Sequence, residues 1–323
     1  MSNVAIGIDV GGTKALALMV ARDGRVIAEM NSQTPHDVGL AAGEATAKVL
    51  VEQVNELCSR QSLDPSQVPI GVGLPGMMRR DGHLAFAPNL QSASGADLGA
   101  QLGDALGNSR VFCENDANCA TLAEHEWGAA RGLSDFVMVT LGTGIGGGIV
   151  ADGQLVRGRS GFAGEIGHMV VEARGAACSC GGRGCWERYA SGGGLHRLTR
   201  EAALEGRLPE LVARCGGDWR AVRAEDVSRA ASEGVDEAVA LMREVGWWLA
   251  LGLANLAAIL DAGHFVIGGG LSEASELVLP AARDYLADLV EGYEMRPTIT
   301  VTTSLFGARS GAMGATLVAF EGA

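Results

Sequence analysis

Apolar and polar positions repeat one order twice along this chain. Val4-Ala-Ile-Gly-Ile-Asp9 alternates and is rich in β-formers, which predicts a strand. It ends in Val10-Gly-Gly-Thr-Lys14, and a second apolar run, Ala15 to Ala21, leads through Asp23-Gly24 to Val26-Ile27-Ala28. The pattern predicts a three-stranded meander with a glycine turn at its first corner. From Phe136 the grammar returns: the strand Phe136 to Leu141, the turn Gly142-Thr-Gly-Ile-Gly-Gly-Gly148, then Ile149-Val150, Asp152-Gly153 and Leu155-Val156. The residues match only at the turns, so the repeat reads as a structural duplication. Two half-domains of this kind suit a ligand held in a cleft.

Between the two meanders, Ala45 to Ser59 places Val49, Leu50, Val54, Leu57 and Cys58 on one helical face. Ile70 to Leu74 reads as a strand stopped by Pro75-Gly76, Asp97 to Leu106 as a shorter helix, and Val111 to Cys113 as a strand. That strand runs into Glu114-Asn-Asp-Ala-Asn118, with a helix expected over Ala120 to Ala130. Helices follow at Leu195–Leu204, Ala224–Ala231 and Glu237–Asp261. A strand at Phe265–Ile267 ends in Gly268-Gly-Gly270; a helix through Tyr285 to Leu289, a strand at Thr298–Thr302 and a helix at Met313–Phe320 complete the chain. Gly142-x-Gly144-x-x-Gly147 matches the dinucleotide fingerprint only formally, because a strand rather than a helix comes next. No P-loop motif occurs.

Composition narrows the function classes. The 323 residues are 47% hydrophobic and 20% charged, enough for two domains with substantial cores. A net charge of −13 argues against a nucleic-acid or anionic-membrane surface. The apolar stretch Val245 to Leu260 is interrupted by Gly246, Gly252 and Asn255 and reads as a buried helix. A strand pattern within four residues of the start leads to no expectation of a signal peptide. Seven cysteines without a disulfide framework fit a reducing cytoplasm.

Three of those cysteines, Cys178, Cys180 and Cys185, fall within eight positions, ten residues after His168. Thiolates and an imidazole are the ligands of a closed, structural zinc site, and Gly181, Gly182 and Gly184 let the loop fold back on one ion. Three buried thiols beside an unrelated imidazole are the alternative. A zinc clamp here would fix Glu165 and Glu187 in one wall of a pocket. The glycine turns at 11–12, 142–148 and 268–270 all follow strands, where backbone N–H groups can line an anion. Thr13 and Thr143 add hydroxyl donors, and Asp9 can hold a metal ion through water, so nucleotide binding is the expectation. Asp116, flanked by Asn115 and Asn118, is placed either to take a proton from a hydroxyl nucleophile or to cap the following helix.

The motifs D-V-G-G-T-K at 9–14, G-L-P-G at 73–76, E-N-D-A-N at 114–118, L-G-T-G-I-G-G-G at 141–148, G-E-I-G-H at 164–168 and C-x-C-G-G-x-G-C-W-E at 178–187 resemble the ROK sugar kinases. The resemblance covers nearly the whole chain and implies an α/β, actin-like ATPase fold (a duplicated ribonuclease H-like unit) with two domains around a nucleotide and sugar cleft. The expected division is 1–117 plus 305–323, and 118–304 with the zinc motif. The resemblance implies ATP-dependent phosphorylation of a hexose at its 6-hydroxyl: glucose first, with N-acetylglucosamine, N-acetylmannosamine or another hexose as alternatives, and a non-catalytic sugar-binding regulator after those. Asp116 is then the general base, with Gly76, Asn89, Asn115, Glu165, His168 and Glu187 around the sugar. Asp9, Gly11, Gly12, Thr13, Lys14, Thr143, Gly144 and Gly269 serve ATP and Mg²⁺, and His168, Cys178, Cys180 and Cys185 hold zinc. A cytoplasmic homodimer is implied as well.

The sequence departs from the family pattern after Asn89-Leu90, where Gln-Ser-Ala-Ser-Gly follows and the usual aromatic residue is missing, and Trp186 leans toward glucokinase-like members. The family also contains sugar-responsive repressors with an N-terminal winged helix. The three residues ahead of the first strand and the acidic balance point away from that class.

Overall fold

A computed structural model of the chain describes residues 3–35, 42–88, 90–270 and 275–322. The chain begins with β1 (Val4–Val10), β2 (Lys14–Ala21), β3 (Val26–Gln33), α1 (Glu44–Arg60), β4 (Ile70–Leu74), β5 (Met77–Met78), β6 (Leu84–Phe86), α2 (Leu98–Leu106), β7 (Val111–Asn115) and α3 (Asp116–Glu126). It continues with β8 (Phe136–Leu141), β9 (Ile145–Ala151), β10 (Gln154–Leu155), α4 (Glu187–Ala190), α5 (Gly192–Leu204), α6 (Pro209–Arg214) and α7 (Ala224–Ser232). The last elements are α8 (Asp236–Leu260), β11 (His264–Gly268), α9 (Ser275–Leu289), β12 (Thr300–Thr303) and α10 (Ser310–Gly322).

Two five-stranded sheets share one strand order, β3-β2-β1-β4-β7 and β10-β9-β8-β11-β12, which is the duplication expected from the paired meanders. In the first, β1 is antiparallel to β2 and parallel to β4, which is parallel to β7. In the second, β9 is antiparallel to β10, and β8, β11 and β12 run parallel.

The chain forms two compact units: Met1–Ser134 with Gly148–Gly164 and Ser304–Ala323, and Asp135–Gly147 with Glu165–Thr303. The division expected between Ala117 and Asn118 is therefore displaced, and physical contacts explain why. α3 packs on α10 so closely that a Cβ at Gly314 would run into the Cys119 carbonyl. Buried Glu124 of α3 accepts hydrogen bonds from the backbone of Leu305 (3.0 Å) and Phe306 (3.1 Å) and from the Ser310 hydroxyl (3.0 Å). Segment 148–164 joins the same unit through Arg157, whose Nε donates to Glu114 at 2.7 Å.

Alternation along the first sheet sorts its core. Ile6, Ile8 and Val10 of β1 and Ile70, Val72 and Leu74 of β4 are buried in one cluster with Leu50, Val54 and Leu57 of α1. On the opposite side, Gly7 and Gly71 take α10 against the sheet: an added Cβ would collide with the Ala312 and Ala315 carbonyls, respectively. In the second unit, α8 buries Leu241, Val245, Leu249 and Leu253 and packs on α9. Among the described residues no helix is long and apolar enough to cross a membrane.

Most expected elements are found within a few residues of their sequence-based limits. The exceptions are the helix expected from Ala120, which begins at Asp116, the helix expected from Tyr285, which begins at Ser275, and the turn expected over 142–148, where β9 starts at Ile145. β5 and β6 form a short hairpin that no sequence pattern announced.

Candidate active site

In the first unit, Asp9 is the next-to-last residue of β1, and the pair Val10–Ala15 closes the hairpin over Gly11, Gly12, Thr13 and Lys14. The turn is fixed by Gly11 N–H donating to Lys14 C=O (2.9 Å) and by the Thr34 hydroxyl donating to Gly11 C=O (2.8 Å). Gly11 and Gly12 are half-buried, Thr13 and Lys14 exposed. The half-buried Asp9 carboxylate lies against the start of α10, where a Cβ at Gly311 would come within 2.6 Å of Oδ2. Burial first and the neighbouring Asp116 charge second raise the Asp9 pKa to about 7, with Lys14 opposing them. Two carboxylates held this way favour a nearby cation.

Asp116 is the first residue of α3, where a carboxylate is favoured by the helix N-terminus. The cap itself is Asn115, whose Oδ1 accepts the Asn118 N–H at 3.0 Å. This settles the capping alternative against Asp116, although its Oδ1 also accepts the Ala117 N–H at 2.8 Å. Asn115 Nδ2 donates to Gly76 C=O at 3.0 Å, so each end of the amide keeps one hydrogen-bonding position for a ligand. Gly76 has φ +113°, and a Cβ there would strike the Phe86 carbonyl. Asn89 lies outside the described residues.

Glu114 was missed as a candidate. Its Oε1 accepts from the Asn115 backbone (2.9 Å) and the Asn118 side chain (3.0 Å), while Oε2 takes Arg157. One carboxylate thus brackets Asp116 on both sides. Its place in the E-N-D-A-N motif was the available signal, but Arg157 is 43 residues away and nothing local announces it.

The second unit carries the other candidates. The Gly142 N–H donates to Gly144 C=O at 3.0 Å, which closes the turn after β8. A Cβ at Gly144 would run into the Glu187 carboxylate. Gly269, at φ +93°, crosses the end of β8, where a Cβ would come within 2.7 Å of Leu141 N.

His168 closes a 3₁₀ turn over Ile166–His168, which Glu165 precedes. Burial raises the Glu165 pKa, His168 lowers it, and Glu187 raises it again. One donor atom from each of His168, Cys178, Cys180 and Cys185 lies within 4.8 Å of the others, a set that could hold a metal ion. Cys178 Sγ is 3.8 Å from His168 Nδ1, and Cys180 Sγ is 3.6 Å from Cys185 Sγ. The other ring nitrogen, Nε2, lies 4.0 Å from Glu165. Glu187 Oε1 accepts from Cys178 Sγ at 3.0 Å and lies 3.9 Å from His168 Nδ1. Burial pushes the Cys178 thiol up to about 12, whereas the Gly182 N–H lowers Cys180. The two expected carboxylates do sit beside the cluster.

Trp186, between Cys185 and Glu187, is fully buried. Its indole rests where a Cβ at Gly252 of α8 would be, and Nε1 donates to Trp248 C=O at 2.7 Å. Its backbone N–H donates to Met169 C=O at 2.8 Å, next to His168. Of the remaining cysteines, Cys58 and Cys119 are buried, while Cys113 and Cys215 are half-buried.

The model of the ROK family matches residues 5–321. The Streptomyces coelicolor glucokinase is 34% identical over 325 residues, covering 98% of both chains. The Thermotoga maritima glucokinase is 34% identical over 287 residues, covering 88% of this chain and 87% of its own. Among solved structures, a ROK family glucokinase from Streptomyces griseus in complex with glucose and AMPPNP is similar with a TM-score of 0.82 and 34% identity, over 98% of this chain and 99% of that one.

Proposed function

Because the chain belongs to the ROK family, we propose that it is an ATP-dependent hexokinase that phosphorylates the 6-hydroxyl of glucose. The fold is that family's actin-like ATPase fold, to which both duplicated sheets conform. The observation that carries the reading is the likeness, over nearly the full length of both chains, to the glucokinase with glucose and AMPPNP bound.

The reading gives Asp116 the role of general base. It takes the proton of the 6-hydroxyl as that oxygen attacks the γ-phosphorus of ATP; the bond from the γ-phosphorus to the bridging oxygen breaks, and ADP leaves. Asn115, Gly76, Glu165, His168 and Glu187 are assigned to the sugar, whose hydroxyls suit acceptor-rich carboxylates. Gly11, Gly12, Thr13, Lys14, Thr143 and Gly144 are assigned to the phosphates and Gly269 to the adenosine. Support for the glycine assignments comes from turns that crowd out any Cβ at Gly144 and Gly269. Mg²⁺ fits beside Asp9, whose carboxylate is costly to ionise without a cation; when bound, it neutralises phosphate charge.

Zinc fits the Cys₃His set. A tetrahedral zinc with thiolates at about 2.3 Å separates its sulfurs by about 3.8 Å, and Cys180 and Cys185 are already 3.6 Å apart. All four positions are protein atoms, so the ion serves as a clamp, and Glu165, 4.0 Å from His168 Nε2, is placed to orient that ring. Cytoplasmic residence and a homodimer complete the reading; free cysteines support the first, and sedimentation of the purified protein tests the second.

ADP release measured over glucose, N-acetylglucosamine, N-acetylmannosamine, mannose, fructose and allose tests the assignment. Highest kcat/KM on glucose is expected. A preference for an N-acetylated sugar would replace the substrate, and no turnover with any sugar would remove the kinase reading.

A further inference from the structure

The turn Gly142–Gly144 is shaped from behind. Gly192 N–H donates to Gly142 C=O at 2.9 Å, and Gly193 N–H donates to Thr143 C=O at 3.0 Å. The Ser191 hydroxyl also reaches Thr143 C=O at 2.9 Å and shares its proton with Glu187 C=O at 2.5 Å. Its oxygen in turn accepts the Gly194 N–H at 3.0 Å, which caps α5. Ser191 is fully buried.

These bonds decide which face of the turn is presented. A trans peptide points its C=O and N–H in opposite directions. With the carbonyls of Gly142 and Thr143 drawn back onto residues 191–193, the N–H groups of Thr143 and Gly144 point the other way. Two successive N–H groups on one side form a concavity suited to anionic oxygens. On the flank, Glu187 fills the space that a Cβ on Gly144 would need.

We propose that Ser191 is a positioning residue for the nucleotide: it holds the 142–144 turn so that its N–H groups face the phosphates. Ser191 touches no substrate in this account and acts only through Thr143 and Glu187. The strut it belongs to begins six residues after Cys185, the last ligand of the metal cluster. The proposal rests on the assignment of ATP phosphates to this turn.

The test is calorimetric binding of ADP, adenosine and glucose to the wild type, Ser191→Ala and Gly144→Ala, with zinc content measured on each. Ser191→Ala is expected to weaken ADP by about three- to tenfold, the loss of one or two hydrogen bonds. Adenosine, which has no phosphate, glucose and zinc content stay at wild-type values. Gly144→Ala, whose Cβ would displace the Glu187 carboxylate, is expected to weaken ADP and glucose while leaving adenosine at its wild-type value. A general loss of structure would weaken all three ligands together, so it would count against the proposal. So would ADP affinity in Ser191→Ala within about 1.5-fold of wild type, a margin below about a fifth of the free-energy step for a tenfold change. A wild type that binds no ADP would instead overturn the kinase reading itself.

Discussion

Replacing Asp9 by Asn should stabilise the protein at neutral and mildly alkaline pH while damaging its use of Mg-nucleotide. The carboxyl is shifted from 3.8 to about 7, first by burial and then by the Asp116 charge. At ~1.4 kcal/mol per tenfold change in proton affinity, that shift amounts to about 4 kcal/mol, an upper bound because Asp9 is partly open to water. The folded-state value lies above the unfolded one. The stabilising protonation is therefore complete below about pH 3.8 and is lost as the pH rises through about 7. Asn cannot ionise, so the variant escapes that loss.

Urea unfolding of both proteins at pH 5, 6, 7 and 8 measures the difference. Asp9→Asn should gain on the wild type progressively from pH 5 to 8, with most of the gain reached by pH 8. Asp116→Asn should reproduce part of the effect, since it removes the second contribution to the shift. Mg-ADP should narrow the gap by stabilising the wild type more. A difference that stays constant across the series, or an Asp9→Asn variant less stable than wild type at pH 8, would refute the reasoning.

Other consequences follow from the packing and from the metal cluster. Gly71→Ala should destabilise by about 1–3 kcal/mol or more, because its Cβ meets the Ala315 backbone rather than a movable side chain. Gly263→Ala, with open space around it, should stay within about 0.5 kcal/mol of wild type in the same urea titration. Cys180→Ser should lose zinc by atomic absorption and weaken glucose binding through Glu165 and Glu187. Wild-type glucose affinity in the zinc-free variant would contradict that coupling. Zinc affinity itself should fall as the pH is lowered, because the thiols must release protons to bind; competition with a chromogenic chelator from pH 8 to 6 reads this directly.

The parts of the structure legible in the sequence are those written in local pattern. Glycine turns after strands, the repeated meander and the C-x-C…C spacing each depend on neighbours a few residues apart, and each is found. The start of α3 was legible too, because Asn115 is a strong cap residue just ahead of the helix that the structure begins at Asp116. What stayed hidden depends on distant partners. Glu124 reads as an ordinary charge on an exposed helix face, yet it is buried and holds the backbone of residues 305 and 306, some 180 positions away. Arg157 reads as a loop cation, yet its bond to Glu114 draws segment 148–164 into the first unit. Ser191 reads as a helix cap, which it is, but its second bond to Thr143 follows only from tertiary structure.

The most direct test of the central claim is glucose 6-phosphate formation from glucose and ATP by wild type and Asp116→Asn, followed by coupled oxidation of the product, with glucose binding measured in parallel. The account predicts turnover by the wild type and a loss of about 10²–10⁴-fold in kcat for the variant, the range of a general base, with glucose affinity retained. Near-full turnover by Asp116→Asn, or no glucose 6-phosphate from the zinc-loaded wild type, would contradict it.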